Sequence, residues 1–189
     1  MNEILKIYEE TGAIKRGHFL LSSGLHSDTY FQSALVLQYP KYSEFLCKNL
    51  ANYFKNYKID VVIGPAIGAI IVAYETARFL NARAIFTERE NGIMKLRRGF
   101  FINKGENVLI VEDVITTGSS TGEVIEVVRS CNGNIVGIGC LVDRSENVEF
   151  DYPFYSLIKV KVKTYNPENC ELCALKIPLE KPGSKEWKR

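Results

Sequence analysis

The residues Val108–Thr121 read Val-Leu-Ile-Val-Glu-Asp-Val-Ile-Thr-Thr-Gly-Ser-Ser-Thr, and this stretch decides the fold. It begins with a branched apolar run, which is typical of a strand buried on both faces of a parallel sheet. Glu112 and Asp113 follow where such a strand should emerge, and a helical pattern that includes Val124 and Val128 comes after the turn. Open α/β sheets bind ligands beyond the carboxyl ends of their strands, so the stretch predicts a binding site.

The turn Thr116–Thr121 has the composition of a phosphate-binding loop. The first N–H groups of a helix are unpaired and lie at the positive end of its dipole, and Gly118 permits close backbone approach. Carboxylates beside a phosphate must face hydroxyl groups or a metal ion, so Glu112 and Asp113 indicate a sugar phosphate. A plain capped turn is the alternative, but it does not explain two carboxylates leading into five hydroxyl residues.

The composition fits one globular domain. Of 189 residues, 46% are hydrophobic and 24% charged, and the formal net charge of +2 is too small to indicate a nucleic-acid partner. No apolar stretch is long enough to cross a bilayer and the N-terminus lacks a signal-peptide core, so we expect no membrane partner and a cytoplasmic location. Five cysteines, an odd number, argue against a disulfide framework.

A second strand, loop and helix precede the central stretch. Ile59–Ile63 reads as a buried strand, Gly64–Ala69 as a glycine-containing loop and Ile70–Leu80 as a helix. Glycines let the backbone approach a ligand where a helix begins, although plain turns also favour Gly and Pro. With a further strand at Ala82–Thr87, the alternation predicts an α/β fold with a mostly parallel central sheet flanked by helices.

The segment Glu88–Arg98 is highly charged and contains an Asn-Gly pair, which favours a mobile loop or a hairpin. Its cations, among them Arg89 and Lys95, could neutralise a ligand with several negative oxygens. The alternative is a solvated charged hairpin without a ligand.

Two other places suit a planar ligand. Tyr30 and Phe31 end a pair of short strands predicted around a Ser-Ser-Gly turn, and an aromatic wall suits a flat ring. The alternative is that they form the small core of an N-terminal cap.

Arg144 follows the strand-like run Asn134–Val142, where a guanidinium could pair with a planar carboxylate. The alternative for Arg144 is a surface Asp-Arg turn.

Two motifs carry a resemblance to a known family. Val108–Ser120 resembles the phosphoribosyl pyrophosphate (PRPP) signature of type I phosphoribosyltransferases. Gly-His-Phe-x-Leu-x-Ser-Gly followed by Ser-x-x-Tyr-Phe, which ends at Phe31, is similar to the hood of orotate phosphoribosyltransferases. The sequence departs from the family at Ser22, where many members have lysine, and in the basic segment, where Arg89 matches and Lys95 matches only loosely.

The resemblance implies a type I phosphoribosyltransferase-like fold with a small N-terminal hood. It also implies transfer of the phosphoribosyl group from PRPP to orotate, giving orotidine 5′-phosphate and pyrophosphate in de novo pyrimidine (UMP) biosynthesis. A homodimer with a shared active site is expected. The expected parts of the single domain 1–189 are a helix and hood segment at 1–35, an α/β core at 36–165 and a tail at 166–189.

The same resemblance assigns roles to individual residues. Asp113, Glu112 and Arg89 are the expected catalytic residues. The cofactor is Mg²⁺, held mainly by substrate, with Glu112 and Asp113 contributing through water. The residues expected to bind PRPP are Glu112, Asp113, Val114, Ile115, Thr116, Thr117, Gly118, Ser119, Ser120, Arg89, Ala66 and Lys95. Those expected to bind orotate are Thr116, Arg144, Tyr30 and Phe31.

Two other functions remain open from the sequence. A purine-base phosphoribosyltransferase would share the chemistry and differ in the base, against which the hood pattern and Arg144 argue. A non-catalytic regulator that senses PRPP would contact nucleic acid, against which the modest charge argues.

The histidines and the CxxC pair are predicted to have no ligand role. The separation of His18 and His26 does not match a helical metal pair, and no cysteine or acidic cluster joins them, so we predict structural or hood-surface residues. Cys170 and Cys173 form half a zinc site with no second pair. A reduced pair is the favoured interpretation, with redox or intersubunit metal roles as alternatives.

Overall fold

Helices and strands alternate through the middle of the chain. The structure, a computed structural model, describes residues 3–21, 23–146 and 148–182, so the departure at Ser22 lies outside the described residues. The helices are α1 (Glu3–Glu10), α2 (Ala34–Leu37), α3 (Pro40–Phe54), α4 (Ile70–Leu80), α5 (Ser119–Ser130) and α6 (Glu171–Ala174). The strands are β1 (Ile14–Leu20), β2 (His26–Phe31), β3 (Val61–Pro65), β4 (Arg83–Glu90), β5 (Ile93–Leu96), β6 (Asn107–Ile115), β7 (Asn134–Asp143), β8 (Phe154–Lys159) and β9 (Thr164–Tyr165).

The larger sheet has the strand order β5-β4-β3-β6-β7-β8. Strands β4, β3, β6, β7 and β8 run parallel, and the edge strand β5 pairs antiparallel with β4. Helices α3 and α4 pack on one face of the sheet and α5 packs on the other. The predicted α/β architecture, a mostly parallel sheet flanked by helices, is confirmed.

Alternating side chains of β6 build the two cores. Leu109 and Val111 pack with α3 and α4, whereas Val108 and Ile110 pack with α5, and all four are fully buried. Successive strand residues face opposite sides, so a strand covered on both faces must be apolar throughout. Burial of each such side chain stabilises the fold by about 1.5–3 kcal/mol. The sheet thereby gives the loops at its carboxyl edge a rigid base.

Strand β6 is longer than its apolar run. It continues to Ile115 by pairing with β7, which places Glu112 opposite Cys140 and Ile115 opposite Asp143. The acidic pair therefore lies within the last part of the strand rather than after it. Pairing with β7 fixes the backbone of both carboxylates.

The charged segment is a hairpin, one of the two predicted alternatives. Strands β4 and β5 pair with Glu90 opposite Ile93. Between them Asn91 and Gly92 have φ values of 52° and 81°. Both central residues of a type I′ turn need positive φ, and Asn-Gly meets that need at low cost.

A smaller antiparallel sheet with the order β1-β2-β9 forms the hood. Strands β1 and β2 confirm the predicted pair of strands around the turn. Strand β9 comes from the tail, and farther along Glu180 exchanges backbone hydrogen bonds of 2.8 Å with His18 and Leu20. The tail therefore returns to the hood, which the sequence did not indicate.

The return of the tail brings together side chains that are distant in sequence. His18 and His26 are 2% and 5% exposed, so neither is a surface residue. Cys170 and Cys173 lie beside them, and Cys170 is 152 residues from His18 along the chain. The expectation that no cysteine joins the histidines is therefore wrong. Local spacing could not reveal this contact, because it depends on where the chain end docks.

No helix within the described residues combines the length and the apolar character that a membrane span requires.

Candidate functional site

Two adjoining cavities lie at the carboxyl ends of β6 and β7, the edge at which parallel sheets bind ligands. The first, of about 460 Å³, lies between the hood, the tail and the end of β6. The second, of about 320 Å³, lies against the turn between β6 and α5. Val114, Thr116 and Thr117 line both cavities, so one ligand could extend from one to the other.

The second cavity has the features of a phosphate site. Every residue of the segment 114–121 lines it, together with Arg89 and Glu112. Gly118 has a left-handed φ of 71° and precedes the first residue of α5, so the free N–H groups of a 12-residue helix begin at this cavity. These N–H groups and the hydroxyl groups around them can together bind the oxygens of a phosphate monoester. The structure thus gathers the predicted loop residues around one cavity.

Glu112 and Asp113 separate the two cavities. Glu112 lines the second and Asp113 the first, as expected for neighbouring residues of a strand. Burial, and then repulsion from Asp113, raises the pKa of Glu112 well above its usual range. Burial also raises the pKa of Asp113. A buried acid beside a half-buried one is unfavourable as a doubly charged pair, so ligand hydroxyl groups or a cation would stabilise the two carboxylates.

The loop between β3 and α4 meets the acidic pair. A Cβ atom placed on Gly68 would lie 2.7 Å from Oδ1 of Asp113, so a side chain there would collide with the carboxylate. Ala66 belongs to this loop, and its N–H donates to the carbonyl of Thr87 at 2.7 Å. Ala66 itself lines neither of the two cavities. The loop therefore reaches the site through Gly68, a residue that the sequence interpretation treated only as permissive.

Replacing Glu112 with Gln should stabilise the ligand-free protein at neutral pH. The folded state raises the pKa of Glu112, so it favours the protonated form, and wild-type stability falls as the pH rises above the unfolded value of about 4.3. Glutamine keeps the shape and cannot ionise. We expect the free energy of unfolding to rise by about 1–2 kcal/mol at pH 7.5 and to be unchanged near pH 4.

Denaturant unfolding of both proteins across this pH range measures the effect. Glu126→Gln, at a side chain that is 70% exposed, is the matched control and should leave stability unchanged. A Glu112→Gln variant no more stable than wild type at pH 7.5 would show that the acid is already compensated.

Arg144 lines the first cavity at the end of β7. Its backbone N–H donates to the carbonyl of Ile115 at 2.8 Å, and its guanidinium lies 5.6 Å from the ring centre of Phe31. Among the described residues, its buried Nε has no hydrogen-bond partner. Burial lowers the pKa of Arg144, because it disfavours the charged form of the guanidinium. An anion in the cavity would stabilise that charged form, because a buried donor without a partner is costly.

The two aromatic residues of the hood complete this cavity. Phe31 is 5% exposed and belongs to the core as well, where the Tyr8 ring lies 5.9 Å away, measured between ring centres. Tyr30 is partly exposed and lines the cavity, and its pKa is raised by burial. The cavity therefore combines a flat apolar wall with the Arg144 guanidinium, a combination suited to a planar carboxylate.

The basic hairpin contributes one residue to the two cavities. Arg89 lines the second cavity and contacts Glu123 through two hydrogen bonds of 2.7 and 3.1 Å. Lys95 lines neither cavity and pairs with Glu90 at 3.2 Å. Arg98 also lines neither cavity, and it pairs with Glu88. Acidic neighbours thus neutralise much of the charge that the sequence alone assigned to a ligand.

The sequence interpretation missed several residues of the first cavity. Gln32 follows the aromatic pair, and Lys181 and Pro182 come from the tail. The contribution of Lys181 and Pro182 depends on the return of the tail to the hood, for which the sequence holds no local signal.

Comparison with known proteins gives concordant results. The family described as the phosphoribosyl transferase domain matches residues 40–175. A protein named orotate phosphoribosyltransferase from Caldanaerobacter subterraneus subsp. tengcongensis is 58% identical over 185 residues, which are 97% of each chain. One of the same name from Thermoanaerobacter sp. (strain X514) is 58% identical over 186 residues, 98% of each chain. The solved orotate phosphoribosyltransferase of Mycobacterium tuberculosis in complex with Fe(III) dicitrate has a TM-score of 0.68 at 21% identity, covering 84% of this chain and 97% of that one.

Proposed function

We propose, since this chain belongs to the phosphoribosyltransferase family, that it is an orotate phosphoribosyltransferase. It transfers the 5-phosphoribosyl group from PRPP to orotate, which gives orotidine 5′-phosphate and pyrophosphate in pyrimidine biosynthesis. The observation that carries the choice of base is Arg144, whose buried guanidinium Nε lacks a partner among the described residues and lies in a cavity next to a phosphate loop. A cytoplasmic location is part of the proposal.

The second cavity supports binding of the ribose 5-phosphate part of PRPP. The loop Thr116–Ser120 would hold the phosphate through its N–H and hydroxyl groups. Glu112 and Asp113, with Val114 and Ile115 behind them, would accept hydrogen bonds from the ribose hydroxyls. A ribose held by both contacts has its C1 fixed in position, so the entropic cost of bringing the reactants together is met by binding.

Charged groups around the acidic pair would hold the pyrophosphate. Arg89 lines the second cavity, where its ion pair with Glu123 could be exchanged for the leaving group, in the site of its own chain or in the partner's. Ala66, in the loop that meets Asp113, and Lys95, farther out on the hairpin, would complete the contacts as the hairpin closes. Cations at this place stabilise negative charge as it develops, and closure excludes the water that would hydrolyse the activated ribose.

The residues present fit a Mg²⁺ ion. Oxygen ligands are what Mg²⁺ prefers, and it keeps several waters and substrate oxygens in its shell. Glu112 and Asp113 offer carboxylates whose pKa values are raised mainly by burial, so a cation placed beside them would stabilise their charged forms. They would hold the ion through water, with PRPP supplying the other ligands. When bound, Mg²⁺ would neutralise charge on the pyrophosphate oxygens.

The first cavity supports binding of orotate. Arg144 would pair with its carboxylate through two parallel hydrogen bonds, and Tyr30 and Phe31 would contact the flat ring. Thr116 lines both cavities and would lie where the base meets the ribose. Orotate is already an anion, so the residues need to orient its N1 toward C1 rather than remove a proton.

Lys181 would replace the cation that many family members carry at the place of Ser22. It reaches the first cavity from the tail. A PRPP contact that this chain lacks at one end of the hood would thus be supplied from another segment.

Spectrophotometric assays with orotate, uracil and purine bases, each with PRPP and Mg²⁺, test the function. We expect turnover of orotate alone. Turnover of a purine but not of orotate would establish a purine-base enzyme, and PRPP binding without turnover of any base would establish a non-catalytic regulator.

We further propose a homodimer with a shared active site. Ile67, in the loop before α4, and Ile71 and Tyr74, in the first turns of α4, are 82%, 42% and 64% exposed. An apolar row of this kind on the surface is typical of a protein interface. It begins in the loop that meets Asp113, so a second copy docked on it would lie close to the active site.

Mixing two inactive variants tests the sharing of sites. If the basic hairpin acts on the partner's site, Arg89→Ala mixed with Asp113→Asn should recover about a quarter of wild-type activity, because random pairing gives half heterodimers with one intact site each. Adding Tyr74→Glu to both variants should abolish the recovery and halve the mass measured by light scattering. A dimer without recovery would limit Arg89 to its own chain, and a monomeric wild type would contradict the proposal entirely.

A further inference from the structure

A cluster of two histidines and two cysteines lies where the tail meets the hood. The facing atoms are Nε2 of His18, Nδ1 of His26 and the Sγ atoms of Cys170 and Cys173, and all four lie within 4.8 Å of one another. Within the described residues, no other group of three or more His, Cys, Asp or Glu side chains converges in this way. The proposed transfer reaction uses none of these side chains.

The three nitrogen–sulfur separations that form contacts in the cluster match a tetrahedral metal site. Zinc bonds of about 2.05 Å to nitrogen and 2.3 Å to sulfur give ligand separations of about 3.3 Å between two nitrogens and about 3.6 Å between nitrogen and sulfur. The sulfur of Cys170 lies 3.5 Å from Nε2 of His18. The sulfur of Cys173 lies 3.7 Å from the same nitrogen and 3.4 Å from Nδ1 of His26. The two nitrogens, 2.8 Å apart, would separate by about 0.5 Å to admit the ion.

The other nitrogen of His18 is already held in the form that a metal ligand needs. Its Nδ1 lies 2.8 Å from the backbone carbonyl of Ile177, which can only accept, so this nitrogen carries the proton. The lone pair of a neutral His18 is therefore on Nε2, directed at the cluster. A carbonyl that orients a histidine in this way is the usual outer partner of a metal-bound imidazole.

The same geometry without a metal would require a proton between the rings. His26 would then donate from Nδ1 to Nε2 of His18 at 2.8 Å. That hydrogen bond explains the histidine pair and leaves two thiols unexplained beside it. A divalent cation explains all four groups, because thiolates and imidazoles are the ligands that Zn²⁺ prefers.

The geometry points to a structural Zn²⁺ site formed by His18, His26, Cys170 and Cys173. Four protein ligands leave no coordination position for substrate, so the ion would connect segments rather than catalyse. It would join β1 and β2 of the hood to α6 of the tail. The tail also pairs with β2 through β9 and places Lys181 in the first cavity, so the ion would hold one wall of that cavity in place.

Metal analysis of the purified full-length protein, prepared without a metal-affinity tag, tests the site. We expect about one zinc per chain in the wild type and a loss of at least about tenfold in the double variant Cys170→Ser/Cys173→Ser. Cys131→Ser is the matched control, because Cys131 is a free thiol at the end of α5, and it should keep its zinc.

Two measurements on the wild type do not depend on the variants folding. Metal-free protein titrated with Co²⁺ should develop the thiolate charge-transfer band and the visible absorption of tetrahedral Co²⁺, both displaced by Zn²⁺. A strong chelator should lower the midpoint of thermal unfolding, and added Zn²⁺ should restore it. Wild-type protein that gives neither the Co²⁺ spectrum nor zinc above the level of the double variant would overturn the site, as would a Cys170–Cys173 disulfide in zinc-loaded protein.

Discussion

We expect replacement of Asp113 with Asn to lower the turnover number by about 10²–10³-fold, while the fold stays as stable as wild type or becomes slightly more stable. Asp113 faces the first cavity rather than either core, and burial raises its pKa, so its charge is unfavourable until a ligand arrives. A fixed group that meets charge or hydroxyls at the reacting centre typically contributes a factor of this size. Asparagine keeps the shape and removes the charge, which separates catalysis from packing.

Steady-state kinetics with orotate and PRPP, together with denaturant unfolding of the same preparations, check this prediction. Asp151→Asn is the matched control, because that side chain is 93% exposed, and it should change neither quantity. A turnover number within about twofold of wild type for the Asp113→Asn variant would remove the carboxylate from the reaction. Equal losses of activity and stability would assign it a structural role instead.

The sequence predicted those parts of the site that are local in the chain. Thr116–Ser120 forms a turn at a helix start because Gly118 alone in that stretch adopts positive φ easily, and the apolar run before it must be a buried strand. Arg144 was predicted because it follows the next parallel strand, and neighbouring parallel strands end at the same edge. Each of these inferences needs only a strand, its end and the residue that follows.

The sequence could not predict which charges are already neutralised. Lys95 and Arg89 are both cations of the same charged segment. Lys95 pairs with Glu90 within the hairpin, whereas Arg89 turns toward α5 and reaches Glu123 beside the second cavity. The direction of a side chain on a hairpin depends on register and on the packing of the hairpin against a helix. Exposed ion pairs of this kind contribute little to stability, so a pyrophosphate could displace them at low cost.

The contacts made by the tail also could not be predicted from the sequence. Residues 164–182 contain one two-residue strand and short helices, so periodicity predicts almost nothing there. Docking on the hood is what brings Cys170 beside His18 and Lys181 into the first cavity. The CxxC pair and the two histidines were each predicted to have no ligand role because their partners lie far away along the chain.

Replacing Arg144 with Ala should raise the KM for orotate by about 10- to 100-fold, with smaller effects on the turnover number and on the KM for PRPP. A hydrogen bond to a charged group contributes about 1.5–3 kcal/mol, and each 1.4 kcal/mol is a factor of about ten. The guanidinium lies over Phe31, and its buried Nε has no partner within the described residues, so the energy of pairing is available to the ligand. Arg144→Lys should recover only part of the affinity, because an ammonium cannot form two parallel hydrogen bonds.

Uracil provides the control that makes the Arg144 prediction specific to the carboxylate, because it shares the ring of orotate and lacks that group. If Arg144 binds the carboxylate, inhibition by uracil should be equally weak in wild type and in the Arg144→Ala variant, and only orotate should lose affinity. An unchanged KM for orotate would exclude Arg144 from the base site. An equal loss of affinity for orotate and for uracil would instead mean that removing the guanidinium lets the Phe31 ring move. The guanidinium lies 5.6 Å from the centre of that ring, and both line the same cavity. The two outcomes distinguish recognition of charge from support of the aromatic wall, which the geometry of the cavity combines in one side chain.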